Sequence, residues 1–200
     1  MKRAGEEPPE WIPTHFEFRF GYQGPNTKAP LSTEAISLTL GKRSRVSFRG
    51  RIDRVDFSLD GSRLRVIDYK TGIVEGQPDG FGGGSTLQLP LYLLASCRIW
   101  KQADIEKSWA EYDSVSRKGK FKHLLFHGEN WGEKEKTLKK IIQIISQGIL
   151  EGTFFPCREE DRSCDYCDFQ TLYEQGTGAL FQRKRNDHRA AAFLEMRNIP

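Results

Sequence analysis

The chain has 200 residues, 37% hydrophobic and 29% charged, with a net charge of +4. That length suffices for one well-buried core without a second domain, and the mild basicity leaves any affinity for nucleic acid to local patches. The opening Met-Lys-Arg-Ala-Gly-Glu-Glu-Pro-Pro-Glu contains no apolar secretory core. The apolar run Leu87 to Cys97 is too short to span a membrane, so a cytoplasmic location is expected, with cysteines as thiols or ligands.

Residues 1–12 read as a flexible lead, followed by a first strand near His15 to Tyr22 and a second over Ala35 to Leu40. Val46, Phe48 and Ile52 share one parity, Asp60-Gly61 is a two-residue turn signal, and Leu64 and Val66 resume the alternation, which predicts a β-hairpin. Apolar residues then move from even positions, ending at Ile52, to the odd positions Val55 and Phe57. A bulge or sharp twist there would re-aim Asp53; the alternative is a strand buried on both faces. Asp68 and Lys70 lie two apart, on the side that carries Leu64 and Val66. A strand that buries apolar residues and then presents an acid and a lysine is running out of the core into a site, where the bland alternative is a surface salt bridge.

Gly72 to Ser85 is a glycine-rich connection whose Gly82-Gly83-Gly84 run disfavours regular structure and could admit a nucleic-acid strand. Leu87 to Trp100 predicts a helix, with Pro90 tolerated in or before its first turn. Strands are expected at Ser108 to Ser114 and Lys120 to Phe126, around an Arg117-Lys-Gly119 turn. Leu138, Ile141, Ile142, Ile145 and Ile149 then repeat at helical spacing, from an N-cap at Asn130 to an end near Gly152. Residues 153–175 form a cysteine-containing segment with a short helix over Asp168 to Gln175, and residues 176–200 a basic helix carrying Phe181, Phe193 and Met196. The architecture expected is α/β, a mixed central sheet flanked by helices.

Two acids and a lysine on a hairpin point to divalent-metal chemistry. Mg²⁺ or Mn²⁺ prefers oxygen ligands and is commonly held by one or two carboxylates together with substrate phosphate; Asp53 and Asp68 supply the carboxylates. Bound there, the ion would polarise a phosphoryl group and activate water, with Lys70 orienting that water or stabilising charge at phosphorus.

Gly50-Arg-Ile-Asp-Arg-Val-Asp56, Asp68-Tyr-Lys-Thr-Gly72 and Gln88-Leu-Pro-Leu-Tyr92 resemble the motifs of the RecB-like PD-(D/E)XK nucleases, and within them the nuclease domain of AddB-type helicase–nuclease subunits. The resemblance runs from roughly Pro13 to Tyr173 and implies a restriction-endonuclease-like core. It implies Asp53 and Asp68 as metal ligands, the backbone carbonyl of Tyr69 as a third, and Lys70 as the catalytic lysine. Gln88 and Tyr92 would face the site and contact DNA, and Glu17 weakly matches a glutamate of that family's first strand. The function implied is Mg²⁺- or Mn²⁺-dependent cleavage of DNA, exonucleolytic and directed at single strands or duplex ends, in recombination or repair beside a helicase. Arg49, Arg51 and Arg54 would hold phosphates, with further basic runs at Lys134 to Lys140 and Arg183 to Arg185.

Two departures stand out. The metal-binding histidine that many relatives carry upstream of the first strand has no counterpart, which suggests either a piece of a longer protein or a metal held by fewer side chains; His15, His123, His127 and His188 read as surface residues. AddB-like relatives hold an iron–sulfur cluster with one upstream cysteine and three near this C-terminal region, whereas Tyr173 stands where the last of those would fall. Cys157, Cys164 and Cys167 leave a cluster or zinc site one thiolate short, and Cys97 reads as a buried helix residue. A catalytically impaired DNA-binding or scaffold module and a zinc-stabilised interaction module are the alternatives to an enzyme.

Overall fold

The computed structural model describes residues 10–22, 35–41, 44–154 and 182–200. Seven strands occur there: β1 (Trp11–Phe20), β2 (Ile36–Leu40), β3 (Ser44–Phe48), β4 (Gly50–Ser58), β5 (Leu64–Lys70), β6 (Trp109–Ser114) and β7 (His123–His127). Five of them form a sheet in the order β1-β4-β5-β6-β7, and β2 and β3 pair separately. Only β5 and β6 run parallel, joined through the helix α1 (Gln88–Ile99) as a parallel pair requires. The helices α2 (Trp131–Leu150) and α3 (Ala191–Arg197) complete the mixed α/β architecture that the sequence pattern implies.

The first hairpin strand proves to be two. β3 pairs with β2, whereas β4 begins at Gly50 and enters the main sheet between β1 and β5. Gly50 sits at the switch because a Cβ there would come within 2.9 Å of the Phe20 ring and 3.2 Å of the Tyr92 ring. The change of phase at Asp53 is shared with the neighbouring strand. Glu17, between the residues paired with Arg54 and Ile52, has φ 52. Phe16 on one side of it is 62% exposed, while Phe18 on the other is buried against Trp100. Strict alternation would put both rings on one face. On β4, Ile52 and Val55 are both fully buried.

Several boundaries shift for local reasons. β1 starts at Trp11, inside the expected lead, because that ring packs edge-on against Trp109 at 4.8 Å. The β4–β5 connection is wider than two residues: Asp60 accepts from Ser58 Oγ at 2.6 Å and from Ser62 N and Oγ at 3.1 and 2.8 Å, and these bonds also hold its carboxyl below the usual range. Asn130 does not cap α2 with its side chain. It is left-handed, and the Glu106 carboxylate instead accepts from the amides of Asn130 and Trp131 at 2.7 and 3.0 Å. Along α2, Leu138, Ile141 and Ile142 are buried, but Ile149 has left the core and is 59% exposed. Among the described residues of the expected C-terminal basic helix, helical turns at 182–184 are broken before α3, which runs over Ala191–Arg197 with Met196 its buried residue. Cys157, Cys164, Cys167, the helix over Asp168 to Gln175 and Phe181 lie outside the described residues.

The triple glycine is not an open gate. Gly82, Gly83 and Gly84 form a tight turn with φ values of 55, 60 and 88. Gly83 donates to the Ile199 carbonyl at 2.8 Å, and Phe81 to that of Pro200 at 2.6 Å. A Cβ on Gly83 would lie 2.8 Å from the Arg197 carbonyl oxygen. Glycine is required here by both the left-handed backbone and the close approach. Gly83→Ala is therefore expected to destabilise the fold by about 2 kcal/mol, a fall in Tm of roughly 4–8 °C for a chain of this size. Gly41→Ala, at φ 62 with nothing within 4 Å, should lose less in the same melting experiment.

Candidate active site

The β4–β5 ladder supplies the site by stopping. Its pairs Phe57–Leu64, Val55–Val66 and Arg54–Ile67 are in register, and the next pair in that register would be Asp53 and Asp68. Directly opposed residues share a face, so both carboxylates continue the side on which Val55, Leu64 and Val66 are fully buried. The ladder is not resumed there. The Tyr69 amide donates instead to Asp53 Oδ2 at 3.0 Å. Tyr69 therefore turns its backbone toward β4, and its carbonyl points to the same side as its N–H. Lys70 turns the other way, its carbonyl accepting from Val115 N at 2.9 Å.

Asp68 is buried, and α1 closes over it. Gln88 Nε2 donates to Asp68 Oδ1 at 2.7 Å and to the Tyr92 hydroxyl at 3.2 Å. Gln88 Oε1 accepts from Lys70 Nζ at 3.0 Å and from the Tyr112 hydroxyl at 3.2 Å. All four hydrogen-bonding positions of this amide are filled. Its orientation is fixed by charge, since a flip would set the carbonyl against the carboxylate and the NH₂ against the ammonium. Gln88 thus holds Asp68 and Lys70 in place and has no spare group for a nucleic-acid strand. Tyr92, half-buried, accepts from Gln88 and keeps its own proton to donate.

Lys70 Nζ forms an ion pair with Asp68 Oδ2 and lies 4.7 Å from the centre of the Tyr112 ring. The lysine side chain is 36% exposed, so solvent and substrate reach it. Burial raises the Asp68 carboxyl above its ordinary range, Lys70 opposes the rise, and Asp53 adds to it. Burial also pushes the Tyr112 hydroxyl up to about 12 and raises that of Tyr92, with Asp68 contributing to both. Asp68 Oδ2 is buried and receives no well-directed hydrogen bond. Asp53 Oδ1, the Tyr69 carbonyl and Asp68 Oδ2 are all oxygens, the donor type that a hard divalent cation takes. Among the described residues no three His, Cys, Asp or Glu side chains converge on one point. A cation here would rest on two carboxylates, one carbonyl, water and substrate.

The remaining candidates fall elsewhere. Glu17 is 60% exposed and pairs with Arg51 at 3.0 Å. Arg49 lies at the β3–β4 junction with its guanidinium over the Tyr22 ring at 5.5 Å. Arg54 is not part of this surface. It grips Asp56 through Nε and Nη2 at 2.6 and 2.8 Å and donates to the Tyr69 hydroxyl at 3.1 Å, on the opposite face of the sheet. Arg65 completes the clamp at 2.8 and 2.9 Å, and Asp56 has no exposed surface at all. His15 is not a surface residue but stacks on Trp100 at 4.6 Å, where burial lowers its pKa. Cys97 is a partly buried free thiol with its pKa pushed up to about 12 by burial.

Sequence reasoning missed Tyr112 and the Asp56 clamp. Tyr112 faces Asp68 only through the parallel β5–β6 register, which no local pattern announces. Asp56 offered a signal, an acid between the buried Val55 and Phe57 with arginines at 54 and 65.

Comparison with known proteins places the chain in a family. A family model described as the PD-(D/E)XK nuclease superfamily matches residues 1–172. Three relatives are each named as a subunit of an ATP-dependent helicase/deoxyribonuclease. The protein from Clostridium tetani is 35% identical over 86 residues, 42% of this chain and 7% of its own length. That from Symbiobacterium thermophilum is 47% identical over 64 residues, 30% of this chain and 5% of its own. The match to the Acetivibrio thermocellus protein is longer, 27% identical over 156 residues, 76% of this chain and 13% of that protein. The chain therefore spans only a small part of these relatives.

Two outcomes follow from the electrostatics. The raised Asp68 pKa means that the native state binds the proton more tightly than the unfolded chain, so folding loses stability as pH rises from the ordinary carboxylate range through the native pKa. Asp68→Asn, which mimics the protonated acid, should raise the Tm of the metal-free protein at pH 7. It should also abolish the rise in Tm that Mn²⁺ gives the parent. On the other face, Asp56→Ala leaves two arginines without their partner and should cost about 3–5 kcal/mol by denaturant titration.

Proposed function

This chain belongs to the PD-(D/E)XK nuclease superfamily, and from that premise we propose that it hydrolyses DNA phosphodiesters with Mg²⁺ or Mn²⁺ as the nuclease part of a helicase–nuclease. One observation carries the reading: Asp53 and Asp68 come together where the ladder stops, with Lys70 held beside Asp68 by a saturated amide. A salt bridge on a solvated strand end, the bland alternative, does not account for a carboxylate that is buried and held by both the Gln88 amide and the Lys70 ammonium.

When bound, the cation supplies Lewis-acid polarisation of the phosphoryl group and a water acidic enough to lose a proton near neutral pH. Asp53 Oδ1, Asp68 Oδ2 and the Tyr69 carbonyl are the groups that would hold it. Lys70 donates to Gln88 Oε1 and is paired with Asp68 Oδ2, beside the oxygens that would hold the cation, and its ammonium would serve the attacking water or a phosphate oxygen. The four contacts of Gln88 fix where Lys70 points. Tyr92 has its phenolic proton to offer a phosphate oxygen, and Arg49 and Arg51 lie exposed on the β4 approach to hold the chain of phosphates. The reaction is addition of water oxygen to phosphorus with departure of the sugar oxygen, which takes up a proton.

The finer assignments rest on the resemblance and on the named relatives: exonucleolytic action, single-stranded or duplex-end DNA, a helicase partner, a role in recombination or repair, and a single nuclease domain within a longer protein. A cytoplasmic setting accords with the free thiol at Cys97. Among the described residues no helix is long and apolar enough to cross a membrane.

Cleavage of labelled single-stranded DNA in Mn²⁺ tests the proposal. Lys70→Ala should lower the rate about 10²–10³-fold, the usual loss on removing one group that stabilises developing charge. Asp68→Ala should lose activity and the Mn²⁺-dependent rise in Tm together. Equal cleavage by the parent and both variants would show that the hydrolysis arises elsewhere, and no cleavage by the parent would favour the DNA-binding scaffold.

A further inference from the structure

The turn between β6 and β7, residues 115–122, leaves the sheet at the end where the acids and lysine sit. Ser114 is the residue paired with Lys70, and the turn starts immediately after it. Three hydrogen bonds fasten it to the segment that follows the lysine: Val115 N to the Lys70 carbonyl at 2.9 Å, Ser116 Oγ to the Thr71 carbonyl at 2.7 Å, and Ser114 Oγ to the Gly72 carbonyl at 3.2 Å. Gly119 is clamped underneath, where a Cβ would collide with Ser114 Oγ and the Gly72 carbonyl. The turn and the site therefore share one rigid edge.

The solvent side of this edge is unusual for a surface loop. Arg117, Lys118, Lys120 and Lys122 are exposed, and no acid among the described residues pairs with any of them. Phe121 stands among them 60% exposed, and Val115 is 50% exposed beside it. Lys120 and Phe121 are both left-handed, with φ 55 and 52, a conformation that costs roughly 1–2 kcal/mol per residue. Four such cations interleaved with an outward ring match the combination that binds single-stranded nucleic acid, a charged track for phosphates and a face on which a base stacks. A duplex offers no free base face to such a ring.

We propose that this turn is a docking platform for single-stranded DNA, with Phe121 stacking on an unpaired base and the surrounding lysines and arginine holding its phosphates, so that the strand is delivered past Lys70 into the site. The proposal names the substrate surface of the nuclease reading above and rests on it.

Fluorescence anisotropy with the 200-residue chain in EDTA, using a labelled oligothymidylate and a duplex of the same length, measures binding without cleavage. Phe121→Ala should weaken single-strand binding about tenfold, change duplex binding less, and leave the Tm unaltered. Phe121→Trp should restore single-strand binding, which a merely packing role would not require. Lys118→Gln with Lys120→Gln should lower the slope of log affinity against log salt by about 1.4 for two lost phosphate contacts. Binding by Phe121→Ala within twofold of the parent at every salt concentration would overturn the platform. A small chromogenic phosphodiester, too short to reach the turn, separates the two readings. Equal Mn²⁺-dependent turnover by the parent and Phe121→Ala is the expected result, and a parent inactive on both substrates would sink the nuclease reading while the binding comparison still decides the platform.

Discussion

The hydrogen bond from the Tyr69 amide to the Asp53 carboxylate is the constraint on which the site depends. Two antiparallel strands that continued to pair would lock Asp53 and Asp68 into a ladder, with the Tyr69 carbonyl consumed by a backbone donor. A side chain takes over the donor instead, so the strands part with that N–H still paired. Two carboxylates and a carbonyl are left at the point where the ladder ends. The same bond uses only one oxygen of Asp53, which leaves the other for a ligand. Burial of Asp68, with the Asp53 charge adding to it, is costly, as the raised Asp68 pKa reflects, and the divalent cation of the proposed function would relieve that cost.

The two faces of the sheet handle buried charge in opposite ways. On one, Asp56 is surrounded by the guanidinium groups of Arg54 and Arg65, and their contacts satisfy both of its oxygens. On the other, Asp68 has a lysine and an amide but retains an oxygen without a directed bond. The first arrangement is complete and belongs to stability. The second is less complete, and it is there that the proposed chemistry would take place. They are mechanically linked, because Arg54 also holds the Tyr69 hydroxyl, and Tyr69 is the residue between Asp68 and Lys70 whose amide reaches Asp53.

What was legible in the sequence was what strand and helix periods control. Parity placed Asp68 and Lys70 on the side of Leu64 and Val66, the phase change marked Asp53 as irregular, and the spacing of Gln88 and Tyr92 put them on one side of a helix start, where a hydrogen bond joins them. What was not legible needed partners distant in the chain. Tyr112 reaches Gln88 only because β6 lies parallel to β5, Glu106 caps α2 from a turn before β6, and the triple glycine is set by the carbonyls of Arg197, Ile199 and Pro200. The split of the first hairpin strand at Gly50 followed from the Phe20 and Tyr92 rings, which belong to β1 and α1. Local pattern sees side-chain parity; it does not see which neighbour crowds a backbone atom.

The triple glycine changes how substrate access should be understood. A loose Gly72–Ser85 loop would have offered an entry beside Gln88, but this segment is held at several points. Asp79 accepts from His127 N at 2.6 Å and from Lys134 Nζ at 3.0 Å, and Phe81 and Gly83 are tied to the last residues of the chain. With that side secured, the Lys70 end of the strands is left as the open approach. The exposed cations lie there, on a turn bonded to the residues that follow the lysine. Rigidity on one flank and exposed positive charge on the other give the proposed site a direction, because a polyanion is drawn to the edge that carries the cations and away from the carboxylates.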